Sequence, residues 1–255
     1  MKILLSNDDG VYAPGLNSLY EHLADIADVT VVAPLSERSA TGQTLTLDHP
    51  VRIEKIKKDF YGTTGYPADC TLLGIIHILD EKPDLVISGI NRGANLGQDI
   101  YYSGTVAAAR QGSFHQVPSV AISTVIDHRP HDYDEIRYES AAKFMREFVQ
   151  KRMHEQISPL TMLNINVPDL PMEEITGTSI TKLGQRFYSE EVERRFDSKN
   201  REYFWIGGSF LGSSNEPGSD GHAIENREIS INPLNLLSDS AEEIERWAEI
   251  IADNG

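Results

Sequence analysis

Residues 1–10 read MKILLSNDDG, and they open the pattern that decides the fold. Ile3-Leu4-Leu5 is a short apolar run typical of a buried strand, and Ala13-Pro14-Gly15 is a turn signal. Apolar residues then recur at helical spacing over Leu16–Ala27, and Val29–Ala33 is a second apolar run. Strand, loop, helix and strand in this order form the unit from which parallel sheets are built.

The same alternation continues to about residue 170. Further strands are predicted at Val51–Ile56, Asp84–Ser88, Ser119–Ser123 and Thr161–Val167. Helices are predicted at Pro67–Leu79, after an N-cap at Ser103, and around Glu135–Met153, with a long glycine-rich loop over Gly89–Tyr102. The pattern predicts an α/β fold with a mainly parallel sheet and helices on both faces.

The pattern changes after residue 170. Short β-type runs at Ser179–Leu183, Tyr203–Ile206 and Glu228–Ile231 alternate with charged or Gly-Ser stretches, and an amphipathic helix is predicted over Ala241–Ala252. We therefore expect an α/β core over residues 1–170, followed by a C-terminal extension over 171–255 that consists of a β-rich hairpin arm and a terminal helix.

Charge and composition exclude several classes of function. The formal net charge is −16 over 255 residues, which disfavours the coating of nucleic acid and binding to anionic membranes. Most of this excess lies after residue 130, whereas Leu85–His115 is close to neutral. The N-terminal apolar run is too short for a signal peptide or a membrane span, and the single cysteine, Cys70, is expected to be a buried thiol. A cytoplasmic protein is expected.

Three polar clusters follow predicted strands, at the sheet edge where ligands bind in such folds. They contain Asp8 and Asp9 after the first strand, Ser39 after the second, and Asn91 after the strand at Asp84–Ser88. Adjacent carboxylates repel one another unless a cation compensates their charge. Two carboxylates, a hydroxyl and an amide oxygen make a hard site suited to one Mg²⁺ or Mn²⁺ ion. Alternatively, Asp8-Asp9-Gly10 is only a polar turn before a helix.

A phosphate site is predicted beside this metal site. Ser103-Gly104-Thr105 at a helix N-terminus offers backbone N–H groups and two hydroxyls, and Asn95 lies in the preceding loop. Ser103 as a plain N-cap is the simpler alternative. Dinucleotide-binding, P-loop, zinc-protease and nucleophile-elbow motifs are all missing from the sequence.

Four ordered motifs resemble those of the SurE (survival protein E) family of metal-dependent nucleoside monophosphate phosphatases. They lie at Met1–Gly15, Ser36–Thr44, Ser88–Gly97 and Tyr102–Ala109. The resemblance extends over nearly the whole chain and implies a Rossmann-like core, with a divalent ion held at positions matching Asp8, Asp9, Ser39 and Asn91. It also implies 5′/3′-nucleotidase activity, commonly with exopolyphosphatase activity, in a homodimer or homotetramer assembled through the C-terminal extension.

The resulting hypothesis is metal-assisted hydrolysis of a nucleoside monophosphate, in which Asp8 and Asp9 are catalytic and Asn95, Ser103, Gly104 and Thr105 bind the phosphate. A haloacid-dehalogenase-like phosphatase is a weaker alternative, because that class needs Asp-x-Asp where this chain has Asp8-Asp9. A non-catalytic nucleotide sensor using the same sheet edge is the alternative from another class.

Overall fold

A computed structural model describes residues 1–126 and 136–253 of the chain. The strands in these residues are β1 Lys2–Ser6, β2 Asp28–Pro34, β3 Ile53–Lys57, β4 Phe60–Thr63, β5 Leu85–Arg92, β6 Ser119–Val125, β7 Thr161–Pro168, β8 Gly177–Ile180, β9 Arg186–Tyr188, β10 Glu191–Phe196, β11 Glu202–Gly207, β12 Phe210–Ser213 and β13 Glu228–Asn235. The α-helices are α1 Pro14–Leu23, α2 Pro67–Leu73, α3 Gly104–Phe114, α4 Glu139–Gln150, α5 Asp220–Glu225 and α6 Ala241–Asp253.

Nine of these strands form one sheet in the order β3-β4-β2-β1-β5-β6-β7-β13-β8. Neighbouring strands from β4 to β7 are parallel, whereas β3 and β13 run antiparallel to their neighbours β4 and β7. From β1 the chain builds the sheet outward through β2, and after β4 it crosses back to place β5 on the other side of β1. The loops that follow β1 and β5 therefore diverge, and a ligand-binding crevice is expected between them.

Helices cover both faces of the sheet, as predicted. Successive strand residues point to opposite faces, so that Ile3 and Leu5 belong to the large core under α1 and α4, and Leu4 belongs to a smaller one with Cys70 of α2. Burial raises the pKa of the Cys70 thiol to about 12, which makes this buried thiol unreactive, as expected.

Two predicted elements differ from the structure in character or in length. The helix predicted to reach Leu79 ends as an α-helix at Leu73 and continues as a π-helical turn over Gly74–Ile78. The loop predicted from Gly89 begins later, because β5 continues to Arg92 and its last residues pair with β6 after an irregularity. The predicted start of the next helix, at Glu135, lies outside the described residues.

The C-terminal part contributes both to the sheet and to an arm. β8 and β13 extend the central sheet, so the predicted division at residue 170 lies between strands of one sheet and stays a prediction. β9 pairs with β12, and β10 pairs with β11 as a hairpin. Exposed apolar side chains are concentrated on this hairpin and on α6: Val192, Phe204, Trp205, Ile206, Ile244, Trp247 and Ile251. None of the helices in the described part of the chain has the length and apolarity that crossing a membrane requires.

Candidate functional site

The crevice at the carboxyl ends of β1 and β5 contains a cavity of about 240 Å³. The side chains that line it are Asp8, Asp9, Glu37, Ser39, Ala40, Asn91, Arg92, Asn95, Asp99, Tyr102 and Ser103. Six of the eight residues predicted from the sequence are therefore brought to one cavity. The other two, Gly104 and Thr105, lie against Asp8.

Asp8 is the buried acid of this site, with only 5% of its surface exposed. The Thr105 hydroxyl donates a hydrogen bond to its Oδ1 atom, and the Arg38 backbone N–H donates to its carbonyl oxygen at 2.8 Å. Burial raises the pKa of the Asp8 carboxyl to about 6, and repulsion from Asp9 adds to the effect, whereas the Thr105 hydrogen bond opposes it. A carboxylate held in this environment gains stability from a nearby cation.

Asp9 stands at the mouth of the same cavity. Its Oδ2 atom accepts the backbone N–H of Arg92 at 3.2 Å. Burial raises the pKa of the Asp9 carboxyl as well, and repulsion from Glu37 raises it further, against the attraction of Arg92. Both adjacent acids thus carry negative charge that the surrounding side chains compensate only in part.

Ser39 and Asn91 supply neutral oxygens beside the two acids. The Ser39 hydroxyl donates to Oε1 of Glu37 at 2.6 Å, which leaves its lone pairs as acceptors or ligands. The Asn91 side chain donates through Nδ2 to the carbonyl of Gly93 at 2.9 Å, so its Oδ1 atom is the one that could coordinate a cation.

Asn95 is fixed by polar residues of β6 and β7. Its Nδ2 atom donates to the Ser123 hydroxyl at 2.8 Å, its backbone N–H donates to Oδ1 of Asn166 at 2.9 Å, and its carbonyl accepts from Asn164 and Asn166. Sequence reasoning missed these three partners. The available signal was the alternation of Asn164 and Asn166 in an otherwise apolar strand, which places both on one face.

The start of α3 packs directly on Asp8. The Ser103 hydroxyl accepts the Val106 backbone N–H at 3.1 Å, so the N-cap predicted from the sequence is confirmed. A Cβ atom added at Gly104 would lie 2.7 Å from Cβ of Asp8, so glycine permits the close approach of the helix. The Thr105 hydroxyl, predicted to bind phosphate, is engaged with the Asp8 carboxylate.

The donor atoms suit a hard divalent cation. Within residues 1–126 and 136–253, no group of three His, Cys, Asp or Glu side chains is placed to hold a metal. A metal at this cavity would therefore be held by two carboxylates together with the neutral oxygens of Ser39 and Asn91. An all-oxygen set of this kind is what Mg²⁺ and Mn²⁺ prefer, with water completing the coordination.

The chain is similar in sequence and in structure to known proteins of one family. Residues 3–190 match the family model described as "Survival protein SurE". The chain is 43% identical over 250 residues to the 5′-nucleotidase SurE of Methylobacillus flagellatus, a match that covers 97% of this chain and 99% of the relative. It is 40% identical over 251 residues to the 5′-nucleotidase SurE of Vibrio cholerae serotype O1, covering 97% of each chain. The crystal structure of the Sure protein from Aquifex aeolicus superimposes with a TM-score of 0.84 at 39% identity, over 99% of this chain and 100% of that one.

Proposed function

The chain belongs to the SurE family, and we propose that it is a divalent-metal-dependent phosphatase that hydrolyses nucleoside 5′- and 3′-monophosphates to nucleoside and phosphate. The relatives from Methylobacillus flagellatus and Vibrio cholerae are 5′-nucleotidases, and this chain is accordingly a hydrolase of phosphoric monoesters. The observation that carries the metal dependence is the buried, undercompensated pair of Asp8 and Asp9 beside the start of α3.

Each part of the cavity has a proposed role. Asp8, Asp9, Ser39 and Asn91 hold one Mg²⁺ or Mn²⁺ ion, which when bound supplies positive charge that draws electrons from the phosphoryl group. Ser103 and Asn95 orient the phosphate oxygens, and the first turn of α3 at Gly104 and Thr105 contributes the positive end of a helix dipole.

Orientation of the attacking water is assigned to Asp9. Its carboxylate lines the cavity, where it would accept a hydrogen bond from that water while it helps to hold the metal. Asp8 is held more rigidly, by Thr105 and by the packing of Gly104, and serves as the fixed ligand.

The test is a panel of phosphate-release assays with AMP, GMP and 3′-AMP, each with Mn²⁺, Mg²⁺, Zn²⁺ or excess chelator. Release that requires a divalent ion supports the proposal, and a polyphosphate arm of the same panel measures the exopolyphosphatase activity. Tight binding of nucleotide without any phosphate release would instead support a sensor and overturn the assignment as an enzyme.

We further propose that the protein is a cytoplasmic homodimer or homotetramer assembled through the C-terminal extension. The exposed apolar side chains of the β10–β11 hairpin and of α6 support this assembly, because water-exposed apolar patches are usually covered by partners. The mass in solution, measured by light scattering, distinguishes dimer, tetramer and monomer. A monomer would contradict the proposal.

A further inference from the structure

The turn that precedes α3 is held by residues of the C-terminal part of the chain. This turn, Gly97–Tyr101, is a 3-10 helix that leads directly to Ser103. Oδ2 of Asp220 accepts the backbone N–H of Gly97 at 2.7 Å. The side chain of Gln98 makes two hydrogen bonds with the backbone of Arg186, of 2.6 and 2.9 Å. The position of the turn therefore depends on β9 and α5.

Asp99 connects this turn both to the cavity and to the helix start. Its carbonyl oxygen accepts the backbone N–H groups of Tyr102 at 3.0 Å and of Ser103 at 3.1 Å. Its carboxyl group lines the cavity that holds Asp8 and Asp9. A further carboxylate in that position would repel an entering phosphate unless its charge were compensated.

Arg186 of β9 supplies that compensation. Its Nε atom lies 3.0 Å from Oδ2 of Asp99, and the Tyr188 hydroxyl donates to the same carboxylate. The Arg186 side chain is only 5% exposed, and its guanidinium stacks over the ring of Phe210 at 4.2 Å. Because Arg186 is buried and Asp99 is only partly exposed, their attraction is screened less than that of a fully exposed ion pair.

We propose that Arg186 is a positioning residue for phosphate binding, which acts through Asp99. It neutralises the one cavity acid that belongs to the turn before α3, so that a phosphate can bind beside Ser103. The C-terminal part of the chain thereby completes the site of its own core. The inference rests on the proposed phosphatase function and adds a residue that the ligand set does not contain.

The test compares wild type, Arg186→Met, Asp99→Asn and the double variant. In Arg186→Met the Asp99 charge is unpaired, and we expect the KM for AMP and the inhibition constant of inorganic phosphate to rise by roughly tenfold, with kcat changing far less. In the double variant the charge is absent, and both constants should return most of the way to wild type. A merely structural role of Arg186 would not be rescued by Asp99→Asn.

Two further variants keep the outcome decisive. Arg146→Met breaks a more exposed Arg–Asp pair, with Asp25, away from the cavity, and it should leave both constants unchanged. Tyr188→Phe removes only the hydroxyl bond to Asp99 and should raise both constants by a smaller factor, which tests the proposal even if Arg186→Met fails to fold. Unchanged constants in Arg186→Met and Tyr188→Phe, or no rescue in the double variant, would overturn the proposal.

Calorimetric titration of Mn²⁺-loaded protein with inorganic phosphate gives a readout that needs no turnover. Weaker binding in Arg186→Met, with the affinity for Mn²⁺ itself unchanged, supports the role of Arg186. If wild type releases no phosphate from any nucleotide, the proposed function fails, and this titration still decides whether Arg186 governs phosphate binding. Equal phosphate affinity in wild type and Arg186→Met counts against the proposal whatever the activity.

Discussion

The acidic side chains at the two ends of the parallel strands are compensated to different degrees. We call these ends the amino edge and the carboxyl edge of the sheet. At the amino edge, the Lys2 ammonium lies 2.7 Å from Glu81, and the Lys2 backbone N–H donates to Asp84 at 2.7 Å. Pairing with Lys2 lowers the pKa of the Glu81 carboxyl. At the carboxyl edge, burial raises the pKa of both Asp8 and Asp9. Acids of one edge are stable as anions, and acids of the other lack a sufficient counter-charge.

At the carboxyl ends of the strands, the chain gives up stability for function. Ion pairs at a solvated edge contribute little to stability and need no ligand. A buried carboxylate without full compensation destabilises the protein until a cation arrives, and perturbed acids of this kind are enriched at functional sites.

The largest expected effect is on turnover. Asp8→Asn removes a charged ligand while it keeps the shape of the side chain, and we expect kcat/KM for AMP with Mn²⁺ to fall by about 100-fold or more. Glu81→Gln, at the amino edge, should leave it unchanged, and circular dichroism should show both variants folded. Near-normal turnover by Asp8→Asn would show that Asp8 matters no more for activity than Glu81 does.

In the absence of metal, the same substitution Asp8→Asn should increase the stability of the folded protein. Since the folded-state pKa of Asp8 is raised from 3.8 to about 6, the folded protein binds its proton more tightly than the unfolded chain does, and stability falls as the pH rises through this window. In chelator at pH 8, Asp8→Asn should therefore unfold with a free energy about 3 kcal/mol higher than wild type. At pH 4 the difference should vanish, and urea unfolding at both values measures it. If Asp8→Asn were less stable than wild type at pH 8, the conclusion that burial destabilises the Asp8 anion would be wrong.

Gly104→Ala tests the contact between α3 and Asp8. The new Cβ atom would lie 2.7 Å from Cβ of Asp8 and 3.0 Å from Cγ of Pro67, so the helix must move. We expect a loss of about 1–3 kcal/mol in stability and a fall of roughly tenfold in kcat/KM. Gly177→Ala is the matched control, because a Cβ there meets nothing within 4 Å. Equal behaviour of the two variants would show that the helix start tolerates displacement.

The smallest effect is expected at the amino edge. His154 is 5% exposed, and burial lowers the pKa of its imidazole from 6.5. Since the unfolded chain takes up the proton more readily, stability should decrease as the pH falls below 6.5. In His154→Leu, the free energy of unfolding should depend less on pH below 6.5, and the affinity for Mn²⁺ should not change. If the free energy of unfolding of His154→Leu fell with pH as steeply as that of wild type, groups other than His154 would cause the pH dependence.

Local order along the chain suffices to predict which of these residues lie together. Asp8 and Asp9 come just after β1 and Asn91 lies near the end of β5, and the carboxyl ends of adjacent parallel strands meet at one edge. The contacts of Thr105 with Asp8, and of Arg186 with Asp99, join residues 97 and 87 positions apart. They depend on helix placement and strand pairing that no local pattern encodes. β4 was missed because its sequence, FYGT, is short and contains a glycine.

The place of β13 in the sheet has a consequence for the order of folding. Within the described residues, β8 pairs with no strand of the sheet other than β13, and β13 is also the antiparallel neighbour of β7. During synthesis, β8 therefore leaves the ribosome long before its partner, and the whole arm is made in between. The nine-stranded sheet is complete only when Glu228–Asn235 inserts between β7 and β8, so β8 can join the sheet only after the arm has been synthesised.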